Sequence, residues 1–448
     1  MNPRKLLLVA TSLLLACQLG LAQDGRTTAA QVNALAALAQ QTGRAFPIVP
    51  LSSQGHPRPF VWVAGRLHNQ GIRPALPSFC NTNLGGEVIF VFCPNALQVT
   101  YQTNQISFAN GGAGMVIGIT DAFHYGTPTT SRADADLTRF DTDMGLPQCT
   151  LANGCFRDLN QNGSGSPWNC GHDSGWEVET MLDLEWAHAM APNAKLVLVE
   201  GCTNDDSDLN QAVTTAAGLA DVVSDSWGEG EFDGEQASDP FYFSTKPILF
   251  ASGDGGAPGI YPCASPNVTC VGGTTLTPNL TTFVRVNETG WAGSGGGCSP
   301  FEPSQGFQTG NGVNICGSTR AVPDIAADAD PNSGVAVYDS GNGGYLLVGG
   351  TSLATPLMAG IIADLDTART TAPGPWRKPK LQGSAGSPTI DSSLYLKYAG
   401  SPTGYPYTYY YYDVVMGNNG FPAGPGYDLV TGLGVLTAPH AGPPFNLP

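Results

Sequence analysis

Short apolar runs separated by amphipathic stretches dominate the middle of the chain. Met115 to Thr120, Lys195 to Val199, Asp221 to Ser224 and Pro247 to Ala251 each end in polar or glycine-rich residues. Unbroken apolar runs of this length read as strands buried on both faces. Between them lie helix-compatible segments at 132–144, 175–191 and 205–219. Strands alternating with helices predict an α/β fold, a mainly parallel central sheet flanked by helices, with its chemistry at the carboxyl ends of strands. Those ends carry Asp121, Glu200, Ser226-Trp227-Gly228 and the loop Ser252-Gly253-Asp254-Gly255-Gly256.

Two stretches depart from plain structural patterning. In Gly349-Gly350-Thr351-Ser352-Leu353-Ala354-Thr355-Pro356-Leu357-Met358-Ala359-Gly360, glycines permit a tight turn and a helix-like run to Asp366 follows at once. Ser352 would then stand at a helix N-terminus, as a nucleophile or simply as a cap. In the helix expected at 175–191, Glu179 and Asp183 share a face at i and i+4, while Leu182, Trp186 and Met190 face the core. Two carboxylates brought together in a partly buried cleft could share a proton and make a general base backed by a second acid. Glu177 and Glu185 on the same helix are expected to be solvated.

Residues 1–22 read as a secretory signal: Arg4 and Lys5 precede the apolar run Leu6 to Ala16, with possible cleavage after Ala22. That run is too short to span a bilayer. Cys17 offers a minor alternative, a lipid anchor. Residues 23–94 hold a helical stretch from Ala29 to Gln41 and short strands at Val61 to Val63 and Val88 to Val91, and form either a propeptide or a small structural extension.

A net charge of -17 with only 19 Lys+Arg excludes nucleic-acid roles that need phosphate neutralisation. An acidic surface of this kind suits a secreted protein working in acid. Ten cysteines remain once Cys17 is set aside, an even number that favours disulfides. Their spacing suggests the local pairs Cys80 with Cys93, Cys149 with Cys155, Cys170 with Cys202, Cys263 with Cys270, and Cys298 with Cys316.

Five stretches in register resemble the sedolisin family of serine-carboxyl peptidases over roughly residues 94 to 440: the serine stretch, the loop at 251–256, the Glu179 to Asp183 helix with the strand after it, Arg320 to Pro331, and Gly424 to Gly434. The resemblance implies a subtilisin-like three-layer domain at 95–448, after the signal at 1–22 and the extension at 23–94. It implies Ser352 as nucleophile, Glu179 as general base and acid, Asp183 as the orienting acid, and Asp254 as a protonated oxyanion-hole donor. Ser226, Trp227 and Gly228 would line the substrate cleft, and Asp413, Val414, Gly424, Gly426 and Asp428 would hold Ca2+. The implied activity is secreted, monomeric endopeptidase action on proteins or peptides at acidic pH. Two departures stand out: Gly349 replaces the serine the family usually has, and residues 23–94 are short for a folded propeptide. The alternatives are a secreted binding or adhesion protein on an inactive scaffold, and a subtilisin-type Asp/His/Ser peptidase using Asp121 with His172; His188 is expected to pack on its helix.

Overall fold

The computed structural model describes residues 26–49, 56–66, 80–84, 87–106, 109–127, 130–165, 170–383, 389–398 and 406–437; the signal-like segment and Cys17 lie outside them. In chain order the first elements are helix α1 (Ala29–Thr42) and strands β1 (Arg58–Pro59) and β2 (Trp62–Arg66). Thr28 and Gln31 form a reciprocal capping box at the start of α1, and Gly43 closes it in the left-handed region, so the helix is bounded by its own sequence. Strands β3 (Val116–Ala122), β4 (Phe156–Asn160) and β5 (Lys195–Gly201) follow, with helices α2 (Arg132–Met144), α3 (Ser174–Met190) and α4 (Asp206–Leu219) between and after them. Then come β6 (Val222–Asp225), β7 (Trp227–Gly230), β8 (Ile248–Ala251), β9 (Thr269–Pro278), β10 (Arg285–Gly290), β11 (Ile325–Asp328), β12 (Val335–Asp339), β13 (Gly344–Gly349) and α5 (Thr351–Thr371).

The central sheet has eight strands in the order β10-β9-β8-β6-β3-β5-β4, with β11 also paired to β9. Every pair is parallel except β9 with β10. Alternate residues serve opposite layers. Ile117, Ile119, Leu196 and Leu198 join the core beneath α3 and α5, whereas Val197, Val199 and Val223 meet Leu209, Ala212, Val213 and Ala216 of α4 on the other face.

A second, antiparallel sheet runs Phe46–Pro47, β2, β13, β12. The N-terminal segment is therefore built into the domain, and Val32, Ala36, Val61 and Val63 are buried in the main core. β1 pairs antiparallel with β7. Four expected disulfides form: Cys149–Cys155, Cys170–Cys202, Cys263–Cys270 and Cys298–Cys316. Cys93 is also disulfide-bonded; its expected partner Cys80 has a side chain outside those described. Among the described residues no helix is long and apolar enough to cross a membrane.

Helix α3 differs from the expectation of a one-sided core face. All of its residues from Ser174 to Met190 are buried, including Glu177 and Glu185. Glu185 accepts a bond from the Tyr338 amide at 3.0 Å, and Glu177 pairs with His172 at 3.1 Å. The side expected to meet water is covered by β12 and its flanking turn, which come from more than a hundred residues downstream and leave no trace in the local pattern.

Candidate active site

β13 delivers the chain to Gly349 and Gly350, and α5 starts at Thr351. Gly350 has φ 127°, and a Cβ there would overlap the Phe60 carbonyl oxygen and stand 2.7 Å from Asp254 Oδ2. Only glycine fits this turn. Gly349 is constrained differently: a Cβ would lie 2.6 Å from Pro331 Cα and N, so in this chain Pro331 fills the space a side chain at 349 would need.

Ser352 is fully buried. Its Oγ accepts from the Phe60 amide at 3.1 Å and donates to the Ser226 carbonyl at 3.2 Å. Helix α3 brings Glu179 to the same place, near enough for the Ser352 hydroxyl and the Phe60 amide to favour its charged form. Neither Glu179 carboxyl oxygen makes a well-formed hydrogen bond among the described residues. Burial, and then the Asp121 carboxylate, pushes Glu179 well above the ordinary glutamate range. Asp183, one turn on, accepts from the Ser226 hydroxyl at 2.8 Å and is raised by burial and by Asp121 and Glu179. Asp121, at the end of β3, is itself raised by burial, Glu200 and Asp225. Three acids crowded in a dry site cannot all ionise at once, so protons stay among them. Sequence reasoning offered Asp121 as a strand end and as the aspartate of the subtilisin-type alternative; the packing of α3 on β3 sets it beside Glu179 and Asp183.

The loop after β8 supplies Asp254. Its Oδ1 accepts from both the amide and the hydroxyl of Thr351 at 2.8 Å, while Oδ2 is buried without a partner among the described residues. Burial raises its pKa to about 7 against these two bonds. Oδ2 and the backbone amide of Ser352 flank the space over Gly350, so a protonated Asp254 can donate to an oxygen seated there.

Of the three residues expected to line a substrate cleft, Ser226 is buried, donating to Asp183 and accepting from Ser352 at its carbonyl. Gly228 pairs with Arg58 across β7 and β1. Trp227 instead points inward, donating from Nε1 to the Thr120 carbonyl at 3.1 Å and packing edge-on against Phe250. A cleft of about 730 Å³ opens beside Asp254, and Trp62 and Trp291, packed edge-on against each other, form part of its wall.

Residues 169–382 match the subtilase family, Peptidase S8. Kumamolisin from Bacillus sp. (strain MN-32) is 31% identical over 311 residues, 59% of this chain and 50% of that protein. Sedolisin from Pseudomonas sp. (strain 101) is 27% identical over 353 residues, 67% of this chain and 53% of that one. The solved structure of Pseudomonas sedolisin, a serine-carboxyl proteinase complexed with two molecules of pseudo-iodotyrostatin, aligns with a TM-score of 0.62 at 25% identity, over 78% of this chain and 96% of that chain. The chain is similar in sequence to these serine-carboxyl peptidases and shares the sedolisin fold. It spans about half the length of the curated relatives it matches.

Within this domain the histidines are engaged elsewhere. His188 meets the Pro147 carbonyl at 2.9 Å and is held neutral by burial, its pKa near 4, as expected for a packed residue. His172 lies beside Glu177. His124, Asp158 and Glu200 form a buried group whose ligand atoms converge within 4.8 Å, one that sequence reasoning missed apart from Glu200 as a strand end. In the C-terminal loop, Gly426 donates to Asp413 at 3.1 Å and Gly424 to Asp428 at 3.0 Å, so both aspartates lie against one turn. Val414 is buried behind Asp413.

Proposed function

We propose that this chain is a secreted serine-carboxyl endopeptidase that hydrolyses peptide bonds of proteins or peptides in acid. The observation that carries the reading is Asp254: Thr351 fixes one carboxyl oxygen, and the other stays buried, protonated up to about pH 7 and aimed beside the Ser352 amide. Ser352 Oγ attacks the scissile carbonyl, Glu179 takes its proton, and Asp183 shares the charge that Glu179 loses and gains. Glu179 then returns the proton to the leaving amine. The oxyanion is held by the Ser352 amide and the Asp254 acid, and a donor of this kind is typically worth about 3 kcal/mol. A carboxylate replaces imidazole as the base because burial lifts its proton affinity toward that of a useful acceptor.

The C-terminal loop suits calcium. Asp413 and Asp428 contribute hard carboxylate oxygens, and the Val414, Gly424 and Gly426 carbonyls could complete an all-oxygen set. Such an ion would brace the loop, away from the bond-breaking step.

Hydrolysis of a denatured protein across a pH series by the wild type and Ser352→Ala tests this function. Ser352-dependent cleavage confined to acid is expected. Absence of cleavage at every pH by folded, calcium-supplied protein would leave the inactive binding scaffold instead.

A further inference from the structure

At the β4 end of the central sheet, three neighbouring segments each deliver one ligand-type side chain. Asp158 lies on β4, Glu200 near the end of β5, and His124 just beyond β3. Asp158 is in register with Leu198, so it and Glu200 leave the sheet on the same face. One ligand atom from each of the three residues falls within 4.8 Å of the others, and none of the three is more than 7% exposed. Their surroundings already orient them. The Tyr125 amide donates to Glu200 Oε1 at 3.0 Å, which leaves Oε2 facing His124 Nδ1 at 2.6 Å. His124 Nε2 lies 3.1 Å from the Thr127 carbonyl; with the ring hydrogen donated there, the Nδ1 lone pair faces the carboxylates, as in a metal-bound histidine steadied by a backbone carbonyl. Gly126 makes room for the ring, since a Cβ there would stand 2.9 Å from Nε2. Neither carboxyl oxygen of Asp158 makes a well-formed hydrogen bond among the described residues. Among those residues Glu200 has an ion-pair contact only with His124, and Asp158 has none.

We propose that His124, Asp158 and Glu200 bind a divalent transition-metal ion of the zinc class. Two buried carboxylates beside a neutral imidazole leave two negative charges to be balanced, and one such ion balances them; left unpaired in a dry site they are costly. One imidazole nitrogen and two carboxylate oxygens are donors that zinc takes at about 2.0–2.2 Å in a tetrahedral set, with water or the second Asp158 oxygen in fourth place. Ligands at that length stand about 3.4 Å apart, so the His124–Glu200 contact has to open by less than about 1 Å while Asp158 draws in. Calcium fits poorly, because it takes six to eight oxygen ligands and imidazole is not among them. The ion would tie the turn after β3 to β4 and β5, where the His124 amide already donates to the Gly171 carbonyl at 3.0 Å and Cys170–Cys202 closes the adjoining loops. It is separate from the calcium loop proposed around Asp413 and Asp428, and no step of peptide hydrolysis passes through it.

Full-length protein stripped with EDTA and dialysed at about pH 7, where the ligands can shed their protons, provides the test. With excess Ca2+ present to fill all-oxygen sites, Zn2+ is titrated by calorimetry and Co2+ by visible absorption. One Zn2+ per chain is expected, together with a higher Tm and the intense Co2+ absorption of a four-coordinate ion. Ser352→Ala should bind as the wild type does, because the site stands whether or not the peptidase reading holds. Asp158→Asn should weaken Zn2+ binding at least about 100-fold, the upper end of what losing an outer partner costs. Glu200→Gln keeps an oxygen for the Tyr125 amide, should weaken binding equally, and serves if the first variant does not fold. A folded wild type that retains no Zn2+, Zn2+ displaced by Ca2+, a six-coordinate Co2+ spectrum, or affinity unchanged in the folded carboxylate variants would overturn the inference and leave His124 simply hydrogen-bonded to Glu200.

Discussion

Replacing Asp254 by asparagine separates a hydrogen-bond donor from a titrating one. In the wild type, the rise of Asp254 from 3.8 to about 7 corresponds to about 4 kcal/mol in favour of the neutral acid. Above about pH 7 the proton leaves, the donor becomes a buried anion beside the developing oxyanion, and kcat/KM should fall about tenfold per pH unit. Asparagine keeps an oxygen for the two Thr351 bonds and presents an NH2 where Oδ2 stood. Asp254→Asn should therefore retain kcat/KM at about pH 5 within about tenfold and lose the alkaline limb near 7, leaving whatever limit Glu179 imposes. Asp254→Ala removes the donor and strands both Thr351 groups. A loss of about a hundred- to a thousandfold in kcat is expected, together with about 1–3 kcal/mol of stability from the unpaired buried groups. The assay is a pH profile of kcat/KM on a fluorogenic peptide, with urea unfolding of each variant as control. An alkaline limb unchanged in Asp254→Asn would refute the assignment. So would a folded but inert Asp254→Asn, which would mean that the proton itself is transferred, and so would an Asp254→Ala variant with wild-type rates.

Buried acids should also make the fold acid-stable. Asp254, Asp141 and Asp366 are raised to about 7 and Asp364 to about 8, in each case chiefly by burial. Their folded values exceed the unfolded ones, so the folded state binds more protons between about pH 4 and 8, and the stability they contribute is full in acid and lost as pH rises through 7 to 8. The urea midpoint at constant temperature should fall steadily from about pH 5 to pH 8, and a midpoint that rises over that range would contradict the burial argument. Calcium removal should lower Tm by several degrees if the ion is held at about a hundred times its Kd. Asp413→Ala should abolish that response to chelator, and an equal response in both proteins would place any calcium elsewhere.

The sequence by itself determined the parts whose signals are local. The apolar runs became β3, β5, β6 and β8 because a strand buried on both faces must be apolar throughout, and α2, α3, α4 and α5 start within a residue or two of where periodicity and capping put them. The four observed cysteine pairs close loops of 6 to 32 residues, short enough to be read from spacing. Ser352, Glu179, Asp183 and Asp254 were legible as a glycine turn before a helix, an i,i+4 pair and a strand-end loop, and as a resemblance among them. Only the tertiary structure decided what surrounds those groups. Burial of the whole of α3 turned Glu177 and Glu185 from expected surface charges into core residues, because the covering strand β12 arrives from a distant part of the chain. Asp121 joined the acids because α3 packs on β3, and Trp227 turned inward onto Thr120 because β3 lies beside β6. Residues 57–60, unremarkable as Pro-Arg-Pro-Phe, gained their place over Ser352 through pairing with β7, since an extended segment carries no local mark of the edge it will meet.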